Sequence, residues 1–383
     1  MLLGTFAGQA VSMYLRQFGR RIVKTARRAF IALVLAFQVA AGVSPEGGAL
    51  REPVALVEAD GRWGLINRKG NYVFGRQFED MGQFWEGLAV VKIGGKWGYI
   101  DESGKPVIAP QFDGASGFSD GLAVVTVTGK AGFIDKSGGI VISPRFDYAW
   151  HFSCGLALVE IDHMRGYIDR TGKMVIAPQF KMAFPFSDGL AFVHLDGKKG
   201  FIDGTGRMLT EFQIDDAAGS FSEGVAAVKI GKKWGYMDTT GKLVIPPRFD
   251  WALRFSEGLA RVANDRQDSF IDKTGKAVIG PRYYPALGCE GDWFSEGLTA
   301  SWFGRNRCGF IDRAGRVVVR TKFEAATTLV GSFCEGMASF EAPGGKYGYL
   351  NRAGKVVIAP QFDYASDFSV PDRDDRPHGC GNP

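Results

Sequence analysis

From about residue 53 onward, short apolar runs alternate with glycine-bearing turns, and within many runs apolar and polar positions alternate with a period of two. Gly87 to Ile93 (GLAVVKI) is one run, and Gly94-Gly95 turns the chain. Lys96 to Asp101 (KWGYID) is a second run, and Glu102 to Lys105 turns it again. Pro106 to Phe112 (PVIAPQF) is a third run, and Asp113 to Ser119 links it to the next one. Such runs with tight turns predict hairpins, so each unit reads as a three-stranded antiparallel meander. No amphipathic helix is predicted after residue 50.

The unit repeats. The dipeptides Trp63-Gly64, Trp97-Gly98, Ala131-Gly132, Arg165-Gly166 and Lys199-Gly200 follow one another by 34 residues. Trp234-Gly235 comes 35 residues later and Asp268-Ser269 another 34. Cys308-Gly309 and Tyr347-Gly348 follow after 40 and 39. Nine units therefore run from residue 53 to 369.

Comparison of the copies separates scaffold slots from free ones. The residue after the Gly is always large and apolar, as in Tyr99, Phe133 and Tyr236. Phe112, Phe146, Phe180 and Phe249 recur at the end of the third run, and Phe118, Phe152, Phe186 and Phe255 at the unit junction. These sets are the predicted core. A lone meander cannot bury its apolar face, so neighbouring units must stack.

The acid before the second turn (Asp101, Asp135, Asp169, Asp203, Asp238, Asp272, Asp312) becomes Asn67 and Asn351 in the end copies. Asn keeps the side-chain oxygen and drops the charge, which suits an Asx turn better than a metal site. A second acidic ladder in the junction (Glu86, Asp120, Asp188, Glu223, Glu257, Glu296, Glu335) lies between Ser and Gly in most copies, again as turn chemistry.

The pattern G-L-A-x-V, G-K-W-G-Y-I-D, G-K-x-V-I-x-P-x-F-D resembles the bacterial WG-repeat family, also described as KWG repeats. The resemblance covers nearly all of the chain after its N-terminal segment. It implies a protein that works through binding and names no ligand.

The slot before the Gly varies most. It holds Trp63, Trp97, Trp234 and Tyr347, but also Ala131, Arg165, Lys199, Asp268 and Cys308. A core would not accept Arg, Lys and Asp there, so the slot is expected to face solvent or a groove. Its aromatic members Trp63, Trp97, Trp234 and Tyr347 are the candidate ligand contacts. The competing expectation is that Trp merely covers a neighbouring strand. Trp150 and Trp251, in the loop after the third run, are weaker candidates.

Charge changes the picture only at the N-terminus. The net charge is +5, but six basic residues lie before residue 44 with no acid among them. The rest holds 40 basic and 41 acidic residues. That balance lacks the footprint of a nucleic-acid binder. The uncharged stretch from Ala29 to Val43 is shorter than the ~20 residues of a spanning helix. Residues 1–43 are therefore expected to be a signal peptide, or else a membrane anchor, placing the body outside the cytoplasm in the periplasm or beyond. The tail 370–383 is expected to be disordered.

Five cysteines are too few for a disulfide scaffold, though Cys289 and Cys308 flank one junction, and Cys334 and Cys380 are further pairing candidates. The four histidines fall in unrelated positions, and no hydrolase, metalloprotease or nucleotide motif occurs. No enzyme, cofactor or metal is expected.

Two architectures fit nine such units. Three strands in 34 residues falls short of a usual propeller blade, so an open, superhelical, solenoid-like array is favoured over a closed β-propeller. The expected function is a non-catalytic scaffold of the bacterial envelope that binds a protein partner. The alternative is carbohydrate or cell-wall binding through exposed Trp residues.

Overall fold

The computed structural model describes residues 52–371, apart from 76, 210–213, 218–220, 284–291, 304–306 and 325–330. The proposed signal or anchor 1–43, residues 372–383 of the tail, Cys289 and Cys380 lie outside the described residues. The fold is all-β: nine small antiparallel sheets arranged as the blades of a closed propeller. The expected nine-unit β-array is present. The favoured open superhelix is not, and the alternative, a closed ring, is what the chain forms.

Two structural features close the ring. First, the junction is a strand and not a loop. In the second blade the order is Asp80–Trp85, Leu88–Ile93, Lys96–Asp101 and Pro106–Phe112, each strand beside the next. The three runs of one unit are thus joined by a fourth strand taken from the end of the preceding unit. That strand is short in several blades, only Gly114–Ala115 in the third and Met182–Ala183 in the fifth. Turns of two and four residues between the strands of the second blade keep four strands within a 34-residue repeat.

Second, the two ends share one blade. Val54–Ala59 pairs with Arg62–Asn67 on one side and with Tyr364–Ala365 on the other. The Val54 N–H donates to the Ser369 carbonyl and the Ser369 N–H to that of Val54, both at 2.9 Å. The last unit therefore supplies the first strand of the first blade, and no sheet edge is left open there.

The predicted core slots are buried. Tyr99, Phe133, Tyr167, Tyr236 and Tyr349 are wholly enclosed. Each packs on the junction Phe of the next unit. Centroid separations are 5.0 Å for Tyr99–Phe118, 4.9 Å for Phe133–Phe152 and 4.8 Å for Tyr236–Phe255. A buried tyrosine must also satisfy its hydroxyl. The Tyr99 hydroxyl donates to the Ser116 carbonyl at 2.8 Å, and that of Tyr236 to Leu253 at 2.7 Å.

The Gly of each unit is required by close approach. A Cβ on Gly98 would stand 2.5 Å from the Ile108 carbonyl oxygen, and Gly132, Gly166, Gly235 and Gly348 are equally tight. The seventh unit has Ser269 in this slot and shifts the glycine across the ladder. Gly280, at φ 110°, takes the position of Ala109 and lies against Ser269.

First strands converge on the ring axis. The Ser119 hydroxyl donates to the Phe152 carbonyl at 2.8 Å, Ser153 to Phe186 at 2.7 Å, and Ser187 to Phe221 at 3.1 Å. Ser222, Ser256 and Ser295 continue the series to Phe255, Phe294 and Phe333. Fourth strands carry exposed valines such as Val107, Val141 and Val244 and form the outer rim.

Candidate functional site

Antiparallel order gives the ring two different faces. The turns between first and second strands and between third and fourth strands share one. The turns between second and third strands share the other with the blade-to-blade links, and this is termed the connection face.

On the first face the two expected acidic ladders both serve turns. Asp101 Oδ1 accepts the N–H groups of Ser103 and Lys105 at 3.0 and 2.9 Å, and the Ser103 hydroxyl at 2.6 Å. Asn351 accepts the N–H of Ala353 and Lys355 at 3.0 and 3.1 Å with no charge at all. The Thr205 hydroxyl, followed by backbone N–H donors, holds the Asp203 carboxyl down at about 2.

The junction ladder does more than turn the chain. Glu86 stands at φ 51° and accepts the Gly121 N–H of the next blade at 3.1 Å. Lys136 also reaches Glu86 at 3.2 Å, and Arg352 reaches Glu296 at 2.7 Å. Arg68 to Glu335 carries the same link across the closure. Among the described residues no metal-binding cluster of His, Cys, Asp and Glu forms.

The connection face carries a third acidic ladder whose role the sequence reading missed. It is the Asp of the F-D pair. Asp147 accepts from Lys130 at 2.6 Å and from the Asp162 N–H at 2.7 Å, and Asp250 accepts from Lys233 at 2.6 Å. Lys130, with the Asp162 N–H behind it, holds the Asp147 carboxyl below the usual carboxylate range. Recurrence of the F-D pair was the available signal.

The four candidate contacts lie between blades on this face, and none is a free platform. Trp234 is 8% exposed and belongs to the core with Ala252 and Phe255. Trp97 is half-buried against the apolar cluster its blade shares with Phe118 and Val125 of the next one, with the Lys92 ammonium 5.6 Å from its ring centroid. Trp63 packs near Tyr364 at 5.3 Å, and Tyr347 is half-buried beside the same Tyr364 at 6.4 Å.

Charged residues enter the slot because a neighbour receives them. Arg165 pairs with Glu160 at 3.1 Å and lies 5.0 Å from the Trp150 centroid. Asp268 is paired with Arg261, which lies 5.7 Å from Trp251. The slot is therefore a space between blades that each interface fills differently.

At Ala131 it is not filled. A recess of about 500 Å³ opens there between the third and fourth blades. Ala131, Val124 and Ala149 form part of its wall, and Ser116, Thr126, Asp147, Tyr148, Trp150 and His151 also border it. Beside it the heads of successive first strands expose large apolar groups. Tyr148 is 65% exposed, Met182 42% and Phe184 43%. Tyr364 and Trp251 occupy the slot of Tyr148 in other blades and are also exposed. Other blades place Asp80, Gly114 and Asp216 there, so the fold itself does not need an apolar residue.

A family model described as "WG containing repeat" matches residues 63–97, 97–130, 132–162, 166–198, 200–234, 234–266 and 347–369. No curated protein matches the chain. Among solved structures, a crystal structure of a eukaryotic initiation factor is similar at 12% identity and a TM-score of 0.60. The match covers 83% of this chain and 97% of that one. Dihydro-heme d1 dehydrogenase NirN is similar at 12% identity and a TM-score of 0.48, over 85% of this chain and 76% of the other. Apo AztD from Citrobacter koseri follows at 10% identity and 0.43, over 83% and 99%. At these identities the likeness is one of fold alone.

Proposed function

Because the chain belongs to the WG containing repeat family, we propose that it is a non-catalytic binding propeller of the bacterial envelope that holds a protein partner on its connection face. The observation that carries this reading is the exposed apolar run Tyr148, Met182 and Phe184 at the heads of two adjacent first strands. Large apolar groups left in water at positions where sister blades use Asp or Gly fit a surface that a partner covers.

Export is part of the proposal. It rests on the basic-then-apolar segment before residue 44 and on Cys308 and Cys334, which are both disulfide-bonded. Disulfides persist in oxidising compartments. Carbohydrate stacking on Trp63, Trp97, Trp234 and Tyr347 is the weaker reading, because packing against neighbouring strands already occupies these rings.

The test is crosslinking in intact bacterial cells that express the full chain with a C-terminal tag. A protein should be captured by the wild type and lost when Tyr148, Met182 and Phe184 are together replaced by Ser, with the thermal midpoint unchanged. Recovery of glycan or wall fragments in its place would sink the protein-partner reading.

A further inference from the structure

We propose that the recess beside Ala131 is a binding site for a planar aromatic ring of indole size. Shifted by 34 residues, the surroundings of Trp97 become those of Ala131: Val90 becomes Val124, Ala115 becomes Ala149, and Val127 becomes Ile161. In the blade pair that holds Trp97 the indole, Ala115 and Val127 all pack against one apolar cluster shared by the two blades. In the pair that holds Trp234 the indole belongs to one core cluster with Ala252 and is almost wholly buried. The apolar surroundings of Trp97 are kept at Ala131, and the Ala of that set recurs beside Trp234 as well, while at Ala131 the indole is absent.

What borders the recess suits the same group. Thr126 stands where Lys92 reaches over Trp97, so nothing charged covers the opening from that strand. Tyr148 and Trp150, with centroids 6.1 Å apart, supply aromatic surface at the mouth. Exposed ring surface of this kind can engage a further ring edge-on or offset-stacked. Ser116 and Thr126 offer hydroxyl oxygens that can accept an indole N–H. Asp147 is already matched by Lys130, which leaves little attraction for a cation. The volume lies within the range of small-ligand sites.

The ring can come from a side chain of a protein partner or from a free aromatic molecule. Only the first source rests on the function proposed above. Ligand-observed NMR on the full chain with indole alone is the direct test. Saturable binding is expected, weakened at least ~10-fold in Ala131→Trp, where the chain fills its own recess. Trp97→Ala should open a second recess and add a second indole site, which keeps the test valid if Ala131→Trp folds poorly. No saturable binding to the wild type, or binding unchanged in a folded Ala131→Trp, would overturn the proposal.

Cellular crosslinking separates the sources. Loss of the captured protein in Ala131→Trp assigns the ring to the partner. Retention of the captured protein, with indole binding lost, assigns it to a free aromatic. If the wild type binds indole yet captures no protein, the partner reading fails and the recess stands.

Discussion

The Tyr349 hydroxyl, in the ninth blade, donates to the Ser366 carbonyl 2.7 Å away, in the segment that completes the first. The same bond joins Tyr99 to Ser116 and Tyr236 to Leu253 inside the array. The seam where the chain meets itself is thus built like an ordinary interface. Tyr349→Phe should cost about 1–2 kcal/mol, as Tyr236→Phe should, because each leaves a part-buried carbonyl short of a donor. Urea unfolding of the two variants checks this. A silent Tyr349→Phe beside a costly Tyr236→Phe would mean an open seam.

Gly98→Ala should destabilise by about 3 kcal/mol, since its Cβ would meet the backbone of the fourth strand at 2.5 Å. Ser269→Gly should change stability by less than ~1 kcal/mol, because Gly280 already provides the space there. Chemical denaturation of both variants tests whether close approach or turn formation makes this glycine recur.

Burial pushes the Asp367 carboxyl up to about 7. The folded chain therefore holds this proton more tightly than the unfolded one, whose carboxyl titrates near 3.8. The contribution is fully present below that value and is lost as pH rises towards 7, by at most about 4 kcal/mol. Asp367→Asn should match the wild type near pH 4 and exceed it at pH 8. Thermal midpoints across that range would show the two curves diverging.

Cys308 and Cys334 are disulfide-bonded, while Cys154 is a free, exposed thiol. A reducing agent should lower stability by about 2–4 kcal/mol, whereas alkylating Cys154 should leave it unchanged. A midpoint indifferent to reduction would remove one support for export.

Much of this was legible in the amino-acid order. The meander, the core slots and the Asx turns follow from residues that recur nine times in a fixed place. The first strand was not legible, because in the third, fifth and sixth blades it pairs over only two residues, and its composition varies from Gly114 to Trp251. Closure was not legible either, since Val54 and Ser369 carry no local sign of pairing. That the slot before the Gly accepts charge points to solvent or a groove, and the slot is a space between blades. Which partner receives the charge, Glu160 for Arg165 and Arg261 for Asp268 on the adjacent strand, shows only in the fold. Ala131 in a Trp slot was visible throughout, but the walls it leaves behind become visible only with the neighbouring blade in place.

The shared first blade also sets a direction. Residue 52 and residue 371 both leave from that one wedge, whereas Tyr148, Met182 and Phe184 lie on the fourth and fifth, near the far side of the ring. Ser369 and Val54 stand where other blades turn from first to second strand, so any tether attached through either end leaves from the face opposite the connection face. The apolar patch looks out from the opposite side of the disc, turned away from whatever surface the tether holds.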